Sequence, residues 1–332
     1  MNNRHSGFDI TVFILSILVI TLHIDIDNII INLIQQYIAR IAVPFFFTLS
    51  GYFFFNSVNK VGIKFAFQKH FRRIGLLLVV FYILNLPIYL YVYVFSTGFS
   101  FTGLIILLQN TIFLTPGYLW YLSALLFAVT IFRFTSHIKT LLVTFIVTIL
   151  YLIGILGNSY RDIVGLNFSI YYEIFLTTRN GLFFGYPLFT LGFYINKYKL
   201  LDKPVKPILF YLTIGLFFLE VYLVRNLVES STDTSLYFSL PVIVFLFMYL
   251  SNQFKTNISS KVSLIFRKSS VIIYGSQYFT ITVSIFALNF FGSSAFYKNI
   301  TSTVLIIFIP LYSLIFTYMW SRNEKNIIWN FL

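Results

Sequence analysis

Cysteine is absent from the 332 residues, which removes disulfides, thiolate catalysis and thiolate metal sites together. Charge is scarce too. Charged side chains make up 10% of the chain, where a soluble domain carries about 25%. The acids are the rarer sign, 10 against 23 lysines and arginines, leaving a net charge of +13. Three nucleotide and metal signatures are also missing: there is no GxxxxGK[ST] loop, no GxGxxG turn and no HExxH helix. No two-fold internal repeat is evident, which weakens a reading as an inverted-repeat transporter.

What the chain has instead is apolar surface: 58% of its residues are hydrophobic and 21% aromatic. Stretches long enough to cross about 30 Å of hydrocarbon recur along its whole length. Backbone groups facing lipid must be bonded internally, so this hydropathy predicts an all-α polytopic membrane helix bundle. About ten transmembrane helices are expected, at 8–24, 37–56, 74–96, 118–136, 140–157, 179–196, 207–224, 234–250, 270–291 and 300–321. Together they form a single integral membrane domain over residues 1–332. The first stretch has no small-residue cleavage site behind it and reads as a retained helix, not a signal peptide. Pro116-Gly117 breaks the chain before the fourth span, and the apolar stretch 99–115 is short enough for a re-entrant or interfacial segment.

Sorted by alternating loops, eighteen of the 23 basic residues fall on one side, with clusters at 60–73, 197–206 and 255–268. Arg161, Arg179, Arg225 and Lys298 fall on the other, and Arg40 lies in a span. This bias places both termini in the cytoplasm. It also accounts for the net charge without nucleic acid, because the cations are spread over loops that meet anionic lipid. Most acids lie opposite: Asp25, Asp27, Asp162, Glu173, Glu229 and Asp233. The expected setting is a bacterial plasma membrane, crossed many times.

Charged groups inside spans usually face the bundle interior and mark a site. His23 closes the first span and Arg40 opens the second on the same, outer face, across a short acidic loop. Arg179 opens the sixth span, and Glu220 sits near the end of the seventh, again on the outer side. His23 is the only histidine in an expected span; His5, His70 and His137 fall in cytoplasmic segments. Each residue also has a structural reading. His23 would cap a helix at the interface, Arg40 would snorkel to the headgroups, and Glu220 would pair with Arg225 to position a loop. The aromatics of GYLWYL (117–122) would be interfacial, and Lys69, His70, Arg72 and Arg73 would be a positive-inside anchor. On the functional reading, an imidazole is a suitable base for a hydroxyl near neutral pH. A guanidinium in a dry site suits a developing oxyanion.

Several segments in order, GFDITVFILSILVITLH (7–23), RIAVPFFFTLSGYFF (40–54), KHFRRIGLLL (69–78), GYLWYLSALLFA (117–128), RNGLFFGYPLFTLGFYI (179–195) and SSVIIYGSQYF (269–279), carry a resemblance. The sequence resembles acyltransferase family 3, integral membrane proteins that O-acylate cell-surface glycans and related acceptors. The Arg40, Pro44 and SGYFF segment is the most specific piece. The resemblance implies that His23 is the catalytic histidine. Two positions depart from the pattern: Val12 stands where many members have arginine, and Gln277 where many have histidine. The basic pair of the third span reads either as Lys69 with Arg72 or as His70 with Arg73.

With the expected depths, the resemblance implies an O-acetyltransferase that binds no cofactor or metal and uses acetyl-CoA as co-substrate. Its phosphates would rest on Lys69, Arg72 and Arg73, and its acyl arm would reach up to His23 as base with Arg40 stabilising charge. The acceptor, a hydroxyl of a glycan or lipid-linked sugar, would stack on Tyr118, Trp120 and Tyr121 beside Arg179 and Glu220. Two rivals stand: a polysaccharide exporter or transporter whose path is lined by Arg40, Arg179 and Glu220, and a non-catalytic membrane partner of glycan synthesis, favoured by Val12 and Gln277.

Overall fold

The structure is a computed structural model that describes residues 6–24, 26–96, 98–113, 119–165, 171–172, 177–228, 234–254, 256–291 and 295–322. The described residues are helical almost throughout, with no strand beyond an isolated bridge between Ser96 and Gly98. Helix α1 (Ser6–Thr21) is followed by a short helix α2 (Ile29–Leu33), a π-turn at Ile34–Ile38 and a 3₁₀ turn at Ala39–Ile41. These lead into α3 (Ala42–Leu90), then α4 (Phe101–Phe113), α5 (Trp120–Thr135), α6 (Thr140–Leu156) and the single turn α7 (Arg161–Val164). A second π-turn, Tyr91–Phe95, closes α3 and a third, Gly181–Gly185, opens α8 (Tyr186–Lys197), and α9 (Pro207–Leu227), α10 (Leu240–Gln253), α11 (Ser260–Phe291) and α12 (Ala295–Ser321) complete the chain.

Four stretches among the described residues are long and apolar enough to cross a membrane: Ile29–Phe95, Pro207–Leu227, Ser260–Leu288 and Asn299–Ser321. Shorter apolar helices, α1, α5, α6 and α10, accompany them. The outward faces are greasy: Leu141, Ile208, Tyr211, Leu216 and Ile307 are each at least 60% exposed. Water would not tolerate such a surface, whereas hydrocarbon requires it. The apolar 99–115 stretch yields α4.

The second and third expected spans both fall within α3, which is two helices meeting at a kink, and the residues expected as a loop between them are helical on either side of it. Gly62 supplies the break, with φ 77° and ψ 163°. That region of backbone space is open essentially to glycine alone. The closest packing in the bundle joins α3 to α8 through two glycines. A Cβ on Gly51 would lie 1.9 Å from the Phe189 carbonyl oxygen, and one on Gly192 would lie 1.7 Å from that of Thr48. Small residues let the backbones approach where lipid offers no hydrophobic drive to associate. Around this contact Phe47, Phe54, Phe132, Phe184 and Phe189 fill the main core.

Candidate active site

His23 sits just past the last turn of α1. That turn tightens to i→i−3 bonds, His23 N to Ile20 O at 3.0 Å and Ile24 N to Thr21 O at 3.4 Å, leaving carbonyls in need of donors. Gln35, in the first π-turn, supplies them: its Nε2 donates to Thr21 O at 2.6 Å and to Ile24 O at 3.2 Å. The side chain of Gln35 thus fixes the turn that presents the imidazole. π-Turns of this kind gather at functional sites.

Arg40 projects from the 3₁₀ turn that follows, and Arg179 from the segment before the π-turn at Gly181–Gly185. The two guanidiniums meet at one atom. Arg40 NH1 donates to Ser235 Oγ at 2.9 Å, and Arg179 NH1 donates to the same oxygen at 3.1 Å. Both lie within electrostatic range of His23. The face of Arg179 also covers the Trp120 ring, 4.9 Å from its centroid, which orients the planar group. Upstream, Thr178 Oγ1 donates to Gly154 O at 3.0 Å. Downstream, Asn180 Oδ1 accepts from Leu182 N and Phe183 N.

Ser235 is held as firmly as the arginines. Its backbone N–H donates to Asn158 Oδ1 at 2.8 Å, and Leu236 N donates to Asn158 Oδ1 and to Ser159 Oγ. Three residues on, Glu220 grips the start of α10. Its Oε1 accepts from Tyr160 OH and Phe238 N, both at 2.6 Å, and its Oε2 accepts from Ser239 N at 2.8 Å and from the Ser239 hydroxyl. A carboxylate is well suited to the orphan N–H groups and positive end of a helix start. Burial and the Glu220 bond hold the Tyr160 phenol well above its usual range. Glu220 therefore shapes the strand-like segment that carries Ser235, and both of its oxygens are engaged in doing so.

A cavity of about 240 Å³ lies deeper in the bundle. Arg73, His70, Arg267 and Asp9 line its polar part, and Tyr121, Tyr274, Ser50 and Leu77 are among the lining residues of the remainder. Asp9 accepts a bond from Ser263 Oγ at 2.5 Å and stands 4.0 Å from Arg267 Nε. His70 Nδ1 lies 2.9 Å from Ala66 O. A carbonyl oxygen can only accept, so Nδ1 carries the proton and Nε2 is left as an acceptor. Of the two registers open for the basic pair, His70 with Arg73 is the one that lines the cavity; Lys69 and Arg72 are not among its lining residues. Val12 also lines this cavity.

The expected acceptor aromatics separate. Trp120 supports Arg179, while Tyr121 faces the cavity, its OH 3.3 Å from Ser50 Oγ. Tyr118 lies outside the described residues. The structure brings His23, Arg40 and Arg179 together and adds Ser235, Asn158, Ser159 and Gln35, none of which stood out in the sequence. The Asn158-Ser159 pair, polar residues just past the end of an apolar helix, is the one signal that could have pointed to part of this group.

This is a membrane helical bundle in which a half-buried histidine lies beside two convergent arginines. The family described as Acyltransferase domain matches residues 6–319. The chain belongs to that family. Among curated proteins it is similar to two described as amino-acid racemase from Enterococcus faecalis. One is 30% identical over 222 residues, 60% of this chain and 29% of the relative; the other is 28% identical over 287 residues, 76% and 38% respectively. A serine/alanine racemase from Enterococcus gallinarum is 31% identical over 229 residues, 64% of this chain and 32% of the relative. The chain spans about a third of the length of these relatives. No solved structure matches it.

Proposed function

We propose that the chain moves an acyl group, acetyl in the simplest case, from cytoplasmic acyl-CoA to a hydroxyl of an extracytoplasmic glycan or lipid-linked sugar. The observation that carries this reading is the convergence of Arg40 and Arg179 on Ser235 Oγ beside His23. Two guanidiniums preorganised around one oxygen suit the negative charge that grows on a thioester carbonyl when it is attacked. His23 takes the proton of the acceptor hydroxyl as that oxygen bonds to the carbonyl carbon. The C–S bond then breaks, and the departing thiolate receives the proton from the imidazolium. Arg73 and Arg267, with Lys69 and Arg72 outside the cavity, are the cations for the donor's phosphates. The cavity between them and Tyr274 is the space for the pantetheine arm.

The reading is tested on cells that express His23→Ala at the native level. Loss of glycan acetylation supports it, and undiminished acetylation defeats it.

The racemase relatives favour a second reading. A membrane part of about their matched length would serve an amino acid, with Arg40 and Arg179 meeting its carboxylate, as a path or a non-catalytic partner. Binding separates the two, because such a protein has no need to recognise a CoA thioester. Saturable acetyl-CoA binding supports the transferase; serine or alanine binding without it supports the rival.

A further inference from the structure

Gln277 is fully buried, 0% exposed, and neither atom of its amide has a hydrogen-bond partner among the described residues. Leaving a donor and an acceptor dry and unsatisfied weakens the fold, and native proteins rarely do it without a reason. Its place follows from the pairing of α1 with α11, which run parallel. Asp9 bonds Ser263, Phe13 packs on Phe266 with ring centroids 5.0 Å apart, and Ile20 shares an apolar cluster with Ile273. The same offset carried one turn further sets His23 and Ile24 at the level of Ser276 and Gln277, with Ile24 and Ile281 in that same cluster. One helical turn before Gln277, about 5 Å along the axis, Tyr274 lines the cavity. By this register Gln277 lies one turn beyond the cavity-lining Tyr274 and at about the level of the imidazole.

We propose that the amide of Gln277 binds the reacting acyl group, its Nε2–H donating to the thioester carbonyl oxygen. This rests on the acyl-transfer reading above. The donor costs no rearrangement at the moment of reaction, because it is already desolvated and has no competing partner. A neutral amide also lets His23 gain its proton without a second cation at its own level on α11. As the acceptor oxygen bonds to the carbonyl carbon, the carbonyl oxygen becomes an oxyanion held by Nε2–H. When the C–S bond breaks, that oxygen regains its double bond and the thiolate takes the proton from His23.

The test uses purified full-length protein with acetyl-CoA as the probe, reading free thiol released to water as acceptor. Native protein, His23→Ala, Gln277→Met and Gln277→Glu are compared, together with their thermal unfolding. Removing one such donor lowers kcat by about 100-fold in enzymes. Gln277→Met keeps the volume and loses the amide, so thiol release should fall by that order through kcat, with the KM for acetyl-CoA little changed and Tm equal or higher. Gln277→Glu, which keeps the shape but opposes the oxyanion, should release thiol no faster than Gln277→Met. Native thiol release from either Gln277 variant, with His23→Ala inactive, overturns the role of Gln277 alone. Thiol release that is the same in native protein and in His23→Ala overturns the acyl-transfer reading itself. If Gln277→Met does not fold, Gln277→Glu decides by the same criterion.

Discussion

Arg40 and Arg179 share one acceptor, the hydroxyl of Ser235, at 2.9 and 3.1 Å. Side chains from distant parts of the chain thus form a single cationic fork. Hydrogen bonds to charged groups are worth roughly 1.5–3 kcal/mol. Ser235→Ala removes the common anchor, so stability should fall by about 2 kcal/mol and acyl transfer by roughly tenfold as the guanidiniums lose alignment. Thermal unfolding in detergent and thiol release from acetyl-CoA read the two effects separately.

Glu220 accepts four hydrogen bonds through two oxygens, three of them from the segment that leads into α10. Glu220→Gln leaves one oxygen and turns an NH₂ group toward donors. Part-buried donors then lose their acceptor, and a stability loss of about 1–2 kcal/mol is expected. Because Ser235 lies on the same segment, activity should fall as well, although Glu220 touches neither arginine in the contacts described above. Unfolding curves together with activity at a temperature where the variant is folded check this.

Gly192 lies so close to Thr48 that a methyl group has no room. Gly192→Ala should force α3 and α8 apart at a cost of about 2–3 kcal/mol. Gly62→Ala has open space around it but an unfavourable φ, so its loss should be smaller, about 1–2 kcal/mol. Comparative unfolding of the two variants tests the order.

Arg73 lines the cavity and Arg72 does not. Arg73→Ala should raise the KM for acetyl-CoA by about tenfold with a modest change in kcat, since one charge-assisted phosphate contact is lost. Arg72→Ala should change it by less than about twofold. Steady-state kinetics on both variants distinguish a cavity contact from general surface charge, and the Arg72 effect should vanish first as salt is raised.

Much of the architecture was legible because lipid imposes a simple rule: apolar runs become helices, and the charges left inside them are few enough to name. His23, Arg40 and Arg179 could be singled out on that ground. The junction at Gly62 could not, since a glycine between two apolar helices reads equally as a loop or as a break within one helix. Ser235, Asn158 and Gln35 were hidden for a different reason. Serine and asparagine are frequent in this chain, and although glutamine is not, nothing in a local window tells a polar residue that meets an arginine from one that caps a turn. Glu220 was legible as a buried charge but not by its partners, which are backbone N–H groups with no sequence signature. Arg267 was read only as one more cytoplasmic cation, because its pairing with Asp9 depends on the register of α1 against α11.

The central claim is that the two guanidiniums act as one unit on a thioester beside His23. Groups that work together do not lose activity additively when removed. The most direct measurement is thiol release from acetyl-CoA by purified native protein, Arg40→Ala, Arg179→Ala and the double variant, each shown to be folded. The account predicts a large loss in each single variant and little further loss in the double one. Losses that multiply across the two substitutions, or single variants as active as the native protein, would contradict it.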